Sequence, residues 1–188
     1  DGQTITTLNG DSVTVKLEGG NVYIDDAMVT VADLEADNGV VHVIDAVLLP
    51  SSTVVDIIVG SPDHTILEAA VIAAGLADDL SGEGPFTVFA PTDAAFEALP
   101  EGTVASLLED PTGALAQILL YHVVGAAALS TDLSDGQMIT TLNGDSVTVK
   151  LEGGNVYIDN AMVTVADLEA DNGVVHVIDA VLLPSSTV

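Results

Sequence analysis

The sequence predicts an α+β fold, with helices laid on a β sandwich or wedge, and three observations carry that prediction. Residues 1–54 recur as residues 135–188, changed only at Thr4 against Met138 and Asp26 against Asn160. Within each copy apolar and polar residues alternate, which is the period of strands. The unique stretch between the copies, from about residue 61 to 134, instead places apolar residues at helical spacing. A near-exact repeat at an offset of 134 residues marks a tandem array.

In the first copy Val13, Val15 and Leu17 alternate with Thr14 and Lys16, Gly19-Gly20 turns the chain, and Val22, Ile24 and Met28 resume the pattern. Asn9-Gly10 is a second turn signal. Residues 29–32 and 40–44 predict two further strands, separated by a polar loop over 33–39. The second copy predicts the same at 147–151, 156–159, 163–166 and 174–178.

In the unique stretch Ser61-Pro62-Asp63 opens a helix, with Pro62 suited to its first turn. Ile66, Leu67, Ala70, Val71, Ala74 and Leu80 give that helix its apolar face. Residues 87–90 form a short buried strand, stopped by Pro91 and turned straight into a helix. Thr92 is placed to cap this helix, Asp93 sits near its positive end, and Ala95, Phe96 and Leu99 share one face. Thr103 is placed to cap a short helix through Leu108, and Asp110-Pro111 starts another through Leu115, Ile118, Leu119 and Tyr121. Each apolar face needs the strands as its partner, hence helices layered on a sheet.

One helical half and two β halves cannot all be matched within one chain. One β half is left with an open strand edge and an apolar face, so association through residues 1–54 is expected.

Charge is the most unusual bulk property. The 188 residues carry 29 Asp and Glu against two basic residues, Lys16 and Lys150, for a formal charge of -27. Nucleic acid and anionic membrane need a basic footprint and are excluded as direct partners. Internal ion pairs cannot neutralise so many carboxylates, which are screened by salt or bound cations; they read first as a solvated acidic coat, and in the sharper alternative divalent cations bridge molecules through them. Such a coat suggests a saline habitat, and a prokaryotic cell surface is the expected setting. The apolar run of the first helix, 69–76, is too short to span a bilayer, no secretory signal pattern is visible, and there is no cysteine for disulfides.

No catalytic pattern is present: no Cys nucleophile, Gly-x-Ser-x-Gly elbow, His-Glu-x-x-His or phosphate-binding Gly loop. No catalytic residue and no cofactor is assigned. Tyr121-His122, between a helix and a strand, reads as a hydrogen-bonded core pair. His176 and its copy His42 read as buried histidines satisfied by backbone or by the following Asp179 and Asp45. Asp167-x-Glu169-x-Asp171-Asn172-Gly173 has alternating carboxylates of the kind calcium takes, but it fails the EF-hand pattern and reads first as a solvated turn. Asp167, Glu169 and Asp171 are the weak metal candidates. The Asp78-Asp79 and Glu109-Asp110 pairs read as surface charge, and His64 beside Asp63 suggests no more than a loose metal contact.

Three blocks, taken together, resemble the fasciclin-type domain, an extracellular adhesion module. They are Thr87-Val88-Phe89-Ala90-Pro91-Thr92 with Phe96, the segment around Tyr121-His122, and Asn172-Gly173-Val174-Val175-His176-Val177-Ile178-Asp179. The resemblance runs in order from about Ser61 to Pro184. It implies that residues 1–50 are the C-terminal β half of a preceding repeat and 61–184 one complete domain, with 51–60 as linker and 185–188 the start of the next. Val54, Val55, Ile57, Ile58 and Val59 make that linker more apolar than a flexible spacer, and fit it to pair as a strand or pack on a neighbour. The resemblance also implies adhesion roles for Tyr121-His122 and for Asp167-Leu168, where Leu stands for the family's Ile.

The expected function is thus a non-catalytic adhesion module of a tandem-repeat cell-surface protein, binding a cell-surface protein or glycan. The alternative is a self-assembling filament or matrix protein whose partners are its own copies or neighbouring repeats. A small-ligand carrier using a cleft between helices and sheet is a weaker third.

Overall fold

The computed structural model describes residues 1–8, 12–50, 52–100 and 102–184. The Asn9-Gly10 turn, Ser51 and the 185–188 segment lie outside them. The chain divides into two compact units, Asp1–Ser51 and Ser52–Val188.

The first unit is a five-stranded antiparallel sheet in sequential order: β1 (Gln3–Thr6), β2 (Ser12–Glu18), β3 (Asn21–Ile24), β4 (Ala27–Ala36) and β5 (Gly39–Ile44). The 33–39 loop expected from the sequence is corrected here. β4 runs on through Asp33-Leu34-Glu35-Ala36, so only Asp37-Asn38 turns the chain. The ladder with β5 shifts register twice, and Asp33 sits in the left-handed region at φ 56°. A bulge thus carries the polar residue without ending the strand, and Asp tolerates that backbone better than most side chains.

The second unit opens with α1 (Val54–Val59), so the apolar stretch within residues 51–60, expected as a linker fit to pair as a strand or pack on a neighbour, is helical and packs on the core. Thr53 and Asp56 form a capping box: Asp56 N–H donates to Thr53 Oγ1 at 3.3 Å and Thr53 N–H to Asp56 Oδ2 at 2.8 Å. Val54 and Ile58, four apart on one face, are buried in the core of this unit. The Thr53 hydroxyl and N–H hold the Asp56 carboxyl below the usual carboxylate range.

Helix α2 (Thr65–Ala73) starts later than the Ser61-Pro62-Asp63 signal predicts. Its cap comes from 27 residues downstream: Ile66 N–H donates to Asp93 Oδ1 at 2.8 Å and the Thr65 hydroxyl to Asp93 Oδ2 at 2.6 Å. α2 also ends early. Leu76 N–H bonds Val71 O and Gly75 N–H bonds Ile72 O, each at 3.1 Å, with Gly75 at φ +71°. This Schellman closure separates α2 from α3 (Ala77–Leu80), where the sequence suggested one helix.

Strand β6 (Phe86–Pro91) leads into α4 (Asp93–Glu97), whose Ala95 N–H donates to the Thr92 hydroxyl at 3.4 Å. α5 (Thr103–Glu109) is preceded by Gly102 at φ 87°, so Thr103 is its first residue and not its cap. Asp110 accepts from Ala114 N–H at 3.1 Å and opens a π-type turn, Pro111–Leu115, that runs into α6 (Ala116–Tyr121).

After β7 (Val123–Val124) and a 3₁₀ turn, Ser130–Asp132, the repeated pattern returns as β8 (Met138–Thr140), β9 (Ser146–Glu152), β10 (Asn155–Ile158), β11 (Ala161–Ala170) and β12 (Gly173–Ile178). The seven strands follow the order β7-β6-β12-β11-β10-β9-β8. β12 pairs parallel with β6, from Gly173 against Phe86 to Ile178 against Pro91. That one ladder joins the helical half to the β half. One core cluster lies between the helices and β6–β12, built on Val54, Leu67, Val71, Phe96, Ile118 and Val175. A second gathers Phe89 and Tyr121 of the helical half against Val147, Ile158, Ile178 and Leu182 of the β half.

Candidate functional site

The residues singled out by sequence converge on the seam between the two halves of the second unit. Tyr121 ends α6 and is buried. Its hydroxyl donates to Asp159 Oδ2 at 2.9 Å and contacts Ser146 O at 3.2 Å. Burial first, and then the Asp159 bond, raise the Tyr121 pKa, so the phenol keeps its proton. His122 is buried in the next position: its Nδ1 lies 2.8 Å from Ile118 O, while Leu182 N–H donates to its Nε2 at 2.9 Å. These partners define the neutral tautomer, with the proton on Nδ1. Burial lowers its pKa from 6.5 to about 4.

His176 is enclosed in β12 and stacks on Phe89, ring centres 5.9 Å apart. Its Nδ1 accepts from Asp167 N–H at 3.2 Å, so its Nε2 carries the proton donated to Ala128 O at 2.9 Å. Backbone satisfies this histidine. Asp179 is engaged elsewhere, accepting from Met162 N–H at 2.8 Å. The expectation of a buried copy fails at His42, which is exposed. Its Nδ1 accepts from Asp33 N–H at 3.3 Å, but its unit supplies no counterpart of Phe89 or Ala128.

Asp167 occupies the bulge of β11 at φ 59°. Its carboxylate accepts from Ser130 N–H at 2.7 Å and from the Ser130 hydroxyl, and these bonds, hydroxyl first, hold it below the ordinary carboxylate range. Leu168 is half-buried against the helical core. The predicted solvated turn over 167–173 is therefore mostly strand, with only Asp171-Asn172 turning. Its carboxylates serve different ends: Asp167 binds Ser130, Asp171 accepts from Ser52 N–H at 2.8 Å, and Glu169 is exposed. Among the described residues no three His, Asp or Glu gather as a metal ion would need.

Asn172 gathers three elements, a role that sequence reasoning missed. Its Oδ1 accepts from Val54 N–H at 2.8 Å, and its Nδ2 donates to Leu80 O at 2.8 Å and Gly82 O at 2.9 Å. Its backbone carbonyl accepts from Phe86 N–H at 2.9 Å. At Gly173 an added Cβ would lie 2.1 Å from Phe86 O, so only glycine lets β12 and β6 approach. Thr87 works from the other side of the seam: its hydroxyl donates to Ala126 O at 2.6 Å and accepts from Ala128 N–H at 2.9 Å. Pro91 is buried opposite Ile178, and Phe96 lies in the helical core. An Asn-Gly pair opening an apolar strand was the available signal for this staple, but its three partners are remote in sequence.

A cavity of about 280 Å³ opens between the α1–α2 corner and the sheet, lined in part by Ile57, His64, Ala90, Thr92, Leu168 and Val177. His64 is buried, with Nδ1 2.7 Å from the Ser61 hydroxyl and, among the described residues, no hydrogen-bond partner at Nε2. The seam itself is packed: Tyr121, His122 and His176 are committed to main chain or to Asp159, whereas His64 at the cavity holds only the Ser61 hydroxyl. Such an arrangement positions and rigidifies the two halves against each other.

The sequence pattern of the fasciclin domain matches residues 1–50 and 62–184. Protein sll1483 of Synechocystis is 43% identical over 157 residues, covering 83% of this chain and 87% of its own length. Transforming growth factor-beta-induced protein ig-h3 of Sus scrofa is 36% identical, covering 97% of this chain, which spans 27% of that protein. Human periostin is 34% identical over 89% of this chain, which spans 20% of its length. In three dimensions the chain is similar to the FAS1 domain pair of the insect cell adhesion molecule fasciclin I, with TM-score 0.61, 26% identity, and coverage of 92% of this chain and 67% of that one. Seam, signature strands and relatives agree: this chain belongs to the fasciclin domain family.

Proposed function

We propose that the chain is a non-catalytic, extracellular adhesion module from a tandem-repeat surface protein. The observation that carries this reading is the repeat itself: one fasciclin β half recurs almost unchanged at an offset of 134 residues, as in an array that multiplies one weak contact into avidity. The likeness to a cell adhesion molecule supports it. The contact is placed on the rigid outer surface, because Tyr121 and His122 are enclosed and act by holding the seam. A cell-surface protein or glycan is the partner class, and the acidic coat keeps nucleic acid and anionic membrane away. The carboxylates act as that coat and not as a calcium site.

The test is retention of intact cells on a surface coated with the full chain, with calcium and with chelator. Retention that survives both chelator and Tyr121→Phe supports the reading; retention abolished by chelator sinks the coat assignment, and none on any cell type sinks adhesion. A second reading, self-assembly into a filament or matrix, is favoured by the uncovered apolar face of the first unit. Light scattering decides it: mass rising with concentration above 19.1 kDa supports assembly.

A further inference from the structure

Asn-Gly is a chemically labile pair, because the unhindered glycine nitrogen can attack the side-chain carbonyl carbon of the asparagine. The new C–N bond closes a cyclic imide, and ammonia leaves with the side-chain nitrogen and the proton of the glycine N–H. Water then opens the imide at one carbonyl or the other, giving aspartate or isoaspartate. The heptapeptide Ala-Asp-Asn-Gly-Val-Val-His occurs twice, as residues 36–42 and 170–176. Local sequence therefore gives Asn38 and Asn172 the same intrinsic rate.

Tertiary structure treats the two differently. Imide closure at residue 172 requires its side chain to turn onto the peptide that follows it, and both are held. Oδ1 accepts from Val54 N–H at 2.8 Å, while Nδ2 donates to Leu80 O at 2.8 Å and to Gly82 O at 2.9 Å. The peptide that carries the attacking nitrogen is fixed by Phe86 N–H, which donates to Asn172 O at 2.9 Å. Gly173 itself is pressed so close to Phe86 that a Cβ has no room. Asn38 is exposed, and a Cβ at Gly39 would meet nothing within 4 Å.

Neither product fits the closed seam. An aspartate only accepts, so Leu80 O and Gly82 O lose their donors and face a negative charge. An isoaspartate routes the main chain through the side-chain carbons and adds a backbone atom ahead of Gly173. That shifts the ladder running from Gly173 against Phe86 to Ile178 against Pro91. We infer that Asn172-Gly173 is a one-way latch: the closed seam protects the pair from deamidation, and deamidation while the seam is open bars it from closing again. A reversible local opening is thereby made permanent by a covalent step.

The full chain is aged at mildly alkaline pH, natively and in unfolding urea, and peptide mass spectrometry follows deamidation at both sites. In urea Asn38 and Asn172 should convert at one rate, and ageing is continued until half of each has done so. In the native chain, aged for the same time, Asn172 should convert about 100-fold more slowly than in urea, with Asn38 well ahead of it. The two sites keeping pace in the native chain overturns the protection. Asn172→Asp supplies one product directly: its urea midpoint should fall below the parent's, while Asn38→Asp leaves the midpoint unchanged. A parent-like midpoint for N172D overturns the latch. Refolding the urea-aged chain gives a readout that needs no variant: molecules converted at residue 172 should gather in the protease-sensitive fraction. Equal conversion in the sensitive and resistant fractions overturns the latch as well.

Discussion

Replacing Asn172 with alanine removes three hydrogen bonds at once, those to Val54 N–H, Leu80 O and Gly82 O. At about 1 kcal/mol net for each bond, the second unit should lose about 3 kcal/mol. With a urea slope of about 2 kcal/mol per molar, its unfolding midpoint falls by about 1.5 M. The chain carries its own control. Asn38 occupies the same place in the first copy, is exposed, and has no α1, α3 or β6 in its unit to hold. Asn38→Ala should therefore stay within about 0.5 kcal/mol. The assay is urea unfolding followed by circular dichroism, with each variant read against the parent chain. Equal effects of the two substitutions, or a loss below about 1 kcal/mol for N172A, would refute the role of Asn172 as the staple of the seam.

Gly173→Ala drives a Cβ to 2.1 Å from Phe86 O and should cost about 2–4 kcal/mol, whereas Gly39→Ala meets nothing within 4 Å and should be near neutral; thermal unfolding compares them. Tyr121→Phe strips Asp159 of one donor while leaving its Thr148 N–H bond, and should cost about 1.5 kcal/mol in the same measurement. The fold holds His122 neutral, with its pKa lowered from 6.5 to about 4, so the unfolded chain binds a proton that the folded chain refuses between those values. Its contribution is whole above pH 6.5 and is lost as pH falls toward 4, about 3 kcal/mol in all. Urea midpoints across that range should fall with acidity, and His122→Gln, which takes no proton, should flatten the slope; a parent profile already flat would refute the assignment.

Much of the β half was legible because its period is two and Gly-Gly pairs mark its turns. The exception, 33–36, shows why period alone fails: a bulge lets a strand absorb a polar residue at positive φ, and nothing in Asp-Leu-Glu-Ala announces it. α1 was legible in principle, since Thr53-x-x-Asp56 ahead of an apolar run is a capping box. The start of α2 was not, because its cap, Asp93, arrives from another helix. At the site, the packing roles of Tyr121 and His176 follow from polar rings set among apolar neighbours. Their partners do not, for Ala128, Asp159 and the Asp167 N–H are chosen by tertiary geometry. His42 and His176 mark the limit most sharply: they sit in the same local sequence, yet one is exposed and the other enclosed. Burial belongs to the partner half and not to the strand.

The parallel ladder of β6 and β12 also sets a clock on folding. Phe86 finds its partner Gly173 after a separation of 87 residues, so the helical half is translated well before the strand that completes it. Contacts of such long range are slow to form, and the loop-closure entropy falls due before they contribute. During that interval an equivalent strand, β5, has already left the ribosome, only 47 residues from Phe86 when counted from Gly39. By loop closure the nearer strand holds an advantage of about 0.5 kcal/mol. A chain built from near-identical halves is thus chemically well specified but kinetically ambiguous, and its folding rate should depend on whether the earlier strand has already been claimed.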